Sequence, residues 1–300
     1  MPLGLVVSSH GRHCVLEDEQ GRRLQATPRG KRLEVVVGDR VRWAPTQRSD
    51  DTQAVIEELL PRRNLMFRQD TWRTKHFAAN LDQVVFLLCG HPMFSESQLM
   101  RAMIAADAAD IPVILVHNKI DLPQAVLARE RLEPYRSIGL ALLEVSVKRE
   151  PQRTLAALMP RLEGRTTLLL GASGTGKSSL LNLLAPQAAS RVGEISEALQ
   201  SGRHTTTHTS WHWLDEDQRR TALIDSPGFQ EFGLHQIGAA QLAHHLPDFR
   251  PLLGHCRFSN CMHQQEPGCA VIQAVQAGTI SAQRHRLYGE ILAELNQTRW

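Results

Sequence analysis

The stretch "LLLGASGTGKSSLLNLL", residues 168–184, decides the fold. Gly171, Gly176, Lys177 and Ser178 stand in the GxxxxGK[ST] pattern, with an apolar strand-length run before it and a helix-length run after it. In that context the backbone N–H groups of Gly171, Ala172, Ser173, Gly174, Thr175, Gly176, Lys177, Ser178 and Ser179 wrap a phosphate at a helix N-terminus, where the helix dipole favours an anion. Lys177 reaches the terminal phosphates and the Ser178 hydroxyl is placed to ligate Mg²⁺. The loop predicts a nucleoside triphosphate without naming the base.

Working outward, "DQVVFLL", "PVILVHNK", "LLEVSVK" and "RRTALIDSPG" are further apolar runs of strand length, mostly separated by amphipathic stretches of helix length. Such alternation predicts an α/β domain, a parallel sheet covered on both faces, over residues 77–235. Ligand loops of such sheets lie at the carboxyl ends of strands. Asn118, Lys119 and Asp121 sit in one of them, in "VILVHNKID". A carboxylate there accepts two hydrogen bonds from the N1–H and 2-amino group of guanine, and adenine offers no such pair, so GTP is the expected nucleotide. Ser146, Val147 and Lys148, in "EVSVK", suit a backbone contact to the guanine carbonyl. Asp225, in "LIDSPG", is placed to hold Mg²⁺ through water, and the Gly228 N–H to sense the γ-phosphate. Thr205, Thr206 and Thr207, in "SGRHTTTHT", offer a second hydroxyl for Mg²⁺, and the spacing does not choose among them.

Residues 1–62 break into short runs separated by Gly11, Gly21, Gly30 and Gly38, the pattern of a small all-β unit. A five-stranded oligonucleotide-binding (OB-fold) β-barrel fits the strand number, although periodicity does not separate it from another small barrel. Arg22, Arg23, Arg29, Lys31, Arg32, Arg40 and Arg42 face only Glu34 and Asp39 in their stretch, a clustering that suits a polyanion such as RNA. Trp43 and Trp72 are the nearby aromatic residues on which a base could stack. Residues 63–76, basic and without a clean period, read as a linker.

Residues 236–300 combine a Cys/His cluster with a final amphipathic helix carrying Leu287, Ile291, Leu292 and Leu295 on one face. Cys256, Cys261, His263 and Cys269 form C-x₄-C-x-H-x₅-C, three thiolates and an imidazole that suit a closed tetrahedral zinc site. His255 is an alternative imidazole. Cys14 and Cys89 lie in apolar runs as buried thiols, and five cysteines in 300 residues do not make a secreted disulfide scaffold.

The first residues lack the apolar centre of a signal peptide, and no run approaches the roughly 18 apolar residues of a membrane span. The expected location is the cytoplasm, with no membrane partner. A net charge of +3 is too small to establish a nucleic-acid partner by itself.

Read in chain order, base reader, base-supporting loop, phosphate loop, threonine segment and DxxG resemble the motif set of circularly permuted GTPases. With the N-terminal β-unit and the cysteine spacing, the chain resembles the small-ribosomal-subunit biogenesis GTPases of the RsgA (YjeQ) type, through "NKID", "GRHTTT", "GASGTGKSSLLN" and "DSPGFQEFGL". The resemblance implies an OB-fold barrel, a central permuted P-loop GTPase domain and a C-terminal zinc-binding helical domain with one structural Zn²⁺. It also implies a monomer that binds the small (30S) subunit and its rRNA, hydrolyses GTP to GDP with Mg²⁺, and leaves the subunit in late maturation as hydrolysis proceeds.

Phe229 occupies the place where many small GTPases carry a water-orienting glutamine, so turnover should be slow unless another group or a partner supplies that function; the resemblance implies that small subunits stimulate it. The resemblance points to His235 as the catalytic histidine, one place nearer the aspartate than in the family's usual form; His204 and His208 are further candidates. Gly174 stands where potassium-dependent relatives carry asparagine, so the sequence gives no basis for predicting a potassium requirement. An RNA-binding module with a structural, hydrolytically idle GTP site is the alternative. A small-molecule phosphotransferase is disfavoured by the guanine reader and the threonine segment.

Overall fold

The computed structural model describes residues 1–10, 13–30, 33–46, 53–69, 74–186, 209–226 and 232–297. Strands β1 (Leu3–His10), β2 (His13–Asp18), β3 (Arg23–Pro28), β4 (Arg40–Pro45) and β5 (Gln53–Leu59) pair in the order β1-β2-β3-β5-β4. β4 returns to β1, which closes the barrel, and β3–β5 is its one parallel pairing. This is the five-stranded barrel that fits the strand pattern, with the OB-fold architecture the resemblance implies. Alternating apolar positions fill it, among them Val6, Leu16, Val41 and Ile56.

Trp43 belongs to that core. Its ring is 7% exposed and its indole N–H donates to the Leu3 carbonyl at 3.2 Å, so it offers no platform to a base. Trp72 lies outside the described residues.

The segment read as a basic linker is folded. β6 (Leu65–Gln69) and β7 (Thr74–Ala79) form an antiparallel hairpin that buries Met66, Phe77, Ala78 and Ala79. A register shift between Met66 and Phe67 offsets the apolar alternation, which is why no period of two is visible there.

The nucleotide-type domain follows as β8 (Gln83–Cys89), α1 (Glu96–Ala108), β9 (Val113–Asn118), α2 (Ala125–Ser137), β10 (Ala141–Glu144), α3 (Pro151–Leu162), β11 (Thr166–Leu170), α4 (Lys177–Leu184), β12 (Thr209–Trp213) and β13 (Ala222–Asp225). β10-β9-β8-β11-β13 run parallel and β12 adds an antiparallel edge. Val84, Phe86 and Leu88 of β8 join the core that contains α1 and α2, while Val85 and Leu87 join the one that contains α3 and α4. Burial on both faces explains why these strands read as continuous apolar runs.

β12 also pairs with the barrel, Ser8 opposite Ser210 and Ser9 opposite Thr209, so barrel and domain share one sheet. The C-terminal unit has two short 3₁₀ turns and the helices α5 (Ala270–Gln276) and α6 (Ala282–Gln297). Leu287, Ile291, Leu292 and Leu295 of α6 are buried in the core that holds Leu99 and Met103 of α1. Ion pairs Arg101–Glu294 (2.6 Å) and Arg250–Asp107 (2.8 Å) fasten the unit to the same helix.

Candidate functional site

The phosphate loop runs from the end of β11 into α4. Gly174 and Gly176 have φ of +79° and +101°, left-handed conformations that favour glycine. A Cβ on Gly171 would lie 2.6 Å from the Leu87 carbonyl, and one on Gly176 would lie 2.5 Å from Nδ2 of Asn118. The glycines therefore permit backbone approach as well as the turn itself. Lys177 lies inside the loop, its ammonium donating to the Gly171 carbonyl at 2.6 Å and to the Ala172 carbonyl at 3.2 Å. Burial pulls its pKa below the ordinary value, and the charge of Asp225 opposes that pull. Asp225 ends β13 and is 3% exposed. Ser173, Gly174 and Ser178 are exposed, Thr175 is buried, and Ala172 and Ser179 are half-buried.

Asn118 ends β9, two strands from β11, and is 3% exposed. Its Nδ2 donates to the Thr175 carbonyl at 2.9 Å, and its Oδ1 accepts from the Val147 N–H at 3.1 Å. One amide thus joins the phosphate loop to the "SVK" loop. Lys119, at φ +61°, donates from Nζ to the carbonyls of Gly174 at 2.5 Å and His91 at 2.8 Å. Asp121 is exposed and accepts from the Ser146 hydroxyl at 2.5 Å. That bond orients one carboxylate oxygen, and the carboxylate can still receive a donor pair. Val147 is buried and Lys148 exposed. Three loops far apart in the chain meet at one place.

Sequence reading missed the His91–Pro92 turn after β8, whose carbonyl holds Lys119 and whose proline ring lies against Gly174. Its position at the carboxyl end of a parallel strand was the available signal. His235 is half-buried, and its N–H donates to the Gln69 carbonyl of β6 at 3.2 Å. Thr205, Thr206, Thr207, Gly228, Phe229, His204 and His208 lie outside the described residues.

The second candidate site is the Cys/His cluster, where the ligand atoms of Cys256, Cys261, His263 and Cys269 all lie within 4.8 Å of one another. Cys256 Sγ is 3.8 Å from Cys269 Sγ, and each sulfur is 3.5 Å from Nδ1 of His263. Zinc bonded at ordinary lengths in a tetrahedron requires edges of about 3.8 Å between sulfurs and about 3.5 Å from sulfur to nitrogen. Burial, with Cys269 and Cys256 alongside, pushes the Cys261 thiol up to about 12, so a thiolate there needs a neighbouring cation. These four residues could hold a metal ion. His255 is exposed and stands outside the group.

The arginine clusters look different in three dimensions. Arg22 pairs with Asp18, Arg23 with Glu17, Arg29 with Glu57, Arg42 with Glu58, Arg62 with Asp39 and Arg63 with Asp82. Glu57 and Glu58 come from β5, Asp39 and Asp82 from the residues just before β4 and β8, and they offset charges that look unopposed where the arginines stand in the chain.

The RsgA GTPase family matches residues 59–235. This chain belongs to that family. It is accordingly a GTPase, and its nucleotide loops have the permuted order of the family's structures. A protein of Variovorax paradoxus (strain S110), named as the small ribosomal subunit biogenesis GTPase RsgA, is 53% identical over 99% of this chain and 93% of its own length. One of the same name from Paraburkholderia phytofirmans is 51% identical over 98% and 93%. The crystal structure of YjeQ from Thermotoga maritima superposes with a TM-score of 0.73 at 30% identity, covering 98% of both chains. That of YloQ, described as a circularly permuted GTPase, gives 0.71 at 26% identity over 100% and 96%. The RsgA-type architecture therefore extends across barrel, GTPase domain and C-terminal unit.

Proposed function

We propose that this GTPase serves assembly of the small ribosomal subunit: it binds the subunit through rRNA, and GTP hydrolysis times its departure late in maturation. The observation that carries the reading is Asn118, which ties the phosphate loop to the base-supporting loop beside Asp121 and Ser146. The names of the 53% and 51% identical relatives supply the process.

In this reading residues 171–179 cradle the phosphates, with Gly228 at the γ-phosphate. Asn118, Lys119, Asp121 and the Ser146, Val147 and Lys148 loop hold guanine. Ser178, Asp225 and one of Thr205, Thr206 and Thr207 hold Mg²⁺, which offsets phosphate charge when bound. His235 orients water in place of Phe229. Cys256, Cys261, His263 and Cys269 hold one structural Zn²⁺. The barrel occupies 1–62, the GTPase domain 77–235 and the zinc unit 236–300, in a cytoplasmic monomer. Among the described residues no helix is long and apolar enough to cross a membrane.

The test is GTP turnover with and without purified small subunits. Strong stimulation supports the proposal and equal rates overturn it. If Lys177→Ala leaves stimulated turnover unchanged, the hydrolytic role of this loop fails and the idle-site alternative stands.

A further inference from the structure

The loop that carries the metal-ligand cluster presents an aromatic ring outward. Phe258 follows Cys256 by two residues and is 41% exposed, whereas the rings of Phe77, Phe86, Phe94, Phe232 and Phe249 are at most 5% exposed. The Arg257 guanidinium lies over the Phe258 ring, 5.4 Å from its centroid.

The pair is held in place. The Arg257 N–H donates to the Gly268 carbonyl at 3.0 Å, the Cys261 N–H to the Phe258 carbonyl at 3.3 Å, and the Arg257 stem approaches Gly268 so closely that a Cβ there would meet it at 3.0 Å. Cys256 and Cys261, on either side, belong to the four-residue cluster. The platform therefore needs little ordering when a ligand arrives, which favours binding.

Its charge selects the ligand. From Gly254 to Gln265 the loop contains no acidic residue. The next carboxylate, Glu266, accepts the N–H groups of Met262, Gln264 and Gln265 and is thereby occupied. An exposed aromatic face beside a guanidinium, with small polar Ser259 and Asn260 adjoining, matches an unpaired nucleobase and its phosphate: the base stacks and the phosphate meets the cation. An apolar protein partner would leave the guanidinium desolvated without a counter-charge.

We propose that Phe258 and Arg257 form a stacking site for an unpaired RNA base. This rests on the RNA-partner reading above and adds the recognition chemistry and its residues. The ring supplies binding to any base, and Arg257 supplies salt-sensitive attraction to the backbone.

The test uses the full-length zinc-loaded protein with a labelled single-stranded RNA 12-mer, the corresponding duplex, and purified small subunits. Phe258→Ala should weaken single-strand binding roughly 5- to 100-fold, and Phe258→Trp should retain it. Arg257→Gln should lower the salt slope by about 0.7. Zinc content and basal GTP turnover should match wild type in all three variants, which excludes collapse of the loop.

Single-strand affinity of Phe258→Ala within twofold of wild type overturns the inference, as does equal loss on the duplex. Loss of subunit binding with RNA binding intact identifies a protein partner and overturns it too. If wild type binds neither RNA nor subunits, the proposed function fails as well, so the two failures are distinguishable.

Discussion

Arg284 donates from Nε and one terminal nitrogen to the two carboxylate oxygens of Asp248, at 2.7 and 2.6 Å, with 1% and 4% of the two side chains exposed. The same guanidinium lies 5.0 Å from the centroid of Tyr135 in α2. A buried bidentate pair therefore sits where the C-terminal unit meets the GTPase domain. Removing one partner strands the other charge out of water, so Arg284→Met should destabilise the protein by about 3–5 kcal/mol. Replacing both, with Asp248→Leu added, should recover most of the loss. Chemical denaturation of the three proteins measures it, and a single-variant loss below about 1 kcal/mol would remove the role given to the pair.

Asn118 bridges two loops that the proposed site would present together to a nucleotide. Asn118→Ala leaves the Thr175 carbonyl and the Val147 N–H without that partner, at about 1–3 kcal/mol for an unsatisfied buried group. GTP binding should weaken roughly 5- to 100-fold, read by calorimetric titration. Affinity within twofold of wild type would show that the loops hold their positions without the bridge.

Gly176→Ala tests the same junction from the other side. Its φ of +101° is a region that residues with a Cβ rarely adopt, and the new carbon would meet Nδ2 of Asn118 at 2.5 Å. GTP binding should be lost while far-UV circular dichroism is unchanged. Normal binding by this variant would contradict the obligatory close approach.

Much of this site was legible in the sequence because each loop follows a strand whose apolar run announces a two-face-buried sheet. "NKID" after β9 and "GASGTGKSS" after β11 needed only the rule that parallel strands end at the ligand. Elements whose pattern was broken were harder. The β6–β7 hairpin carries a bulge at Met66 and Phe67, and β12, "TSWHW", mixes indole with hydroxyl and imidazole next to the threonine segment. Charge was least legible of all: Arg29 and Arg42 meet Glu57 and Glu58 from β5, acids that a count along the chain places elsewhere. Exposure of Phe258 and burial of Trp43 had no sequence signature.

His117, beside Asn118 on β9, gives a pH prediction. Its ring is fully buried and contacts Glu144 at 3.4 Å. Burial lowers its pKa below the ordinary 6.5, against an opposing pull from Glu144. The unfolded chain then binds the proton more readily, so stability is fully present above pH 6.5 and is lost as pH falls from there through the folded value. His117→Gln should flatten the fall in unfolding free energy between neutral pH and the acid side. An identical slope in both proteins would assign the acid sensitivity to other groups.

The Cys/His cluster gives the last prediction. Three edges of the cluster, Cys256–Cys269 at 3.8 Å and each of those sulfurs to His263 at 3.5 Å, have the lengths of a zinc tetrahedron, so one Zn²⁺ per chain is expected by elemental analysis after purification without chelators. Thiols must lose protons to bind, so acidification competes with the metal and zinc release should steepen as pH falls. Cys269→Ser removes a buried ligand at the start of α5, a helix that brings Val271 into the core shared with α1 and α6. Zinc should fall well below one per chain in that variant, with a lower melting temperature and protease cleavage appearing first between residues 254 and 269. A protein purified without bound zinc, yet melting at the same temperature with or without added metal, would show that packing alone holds this loop.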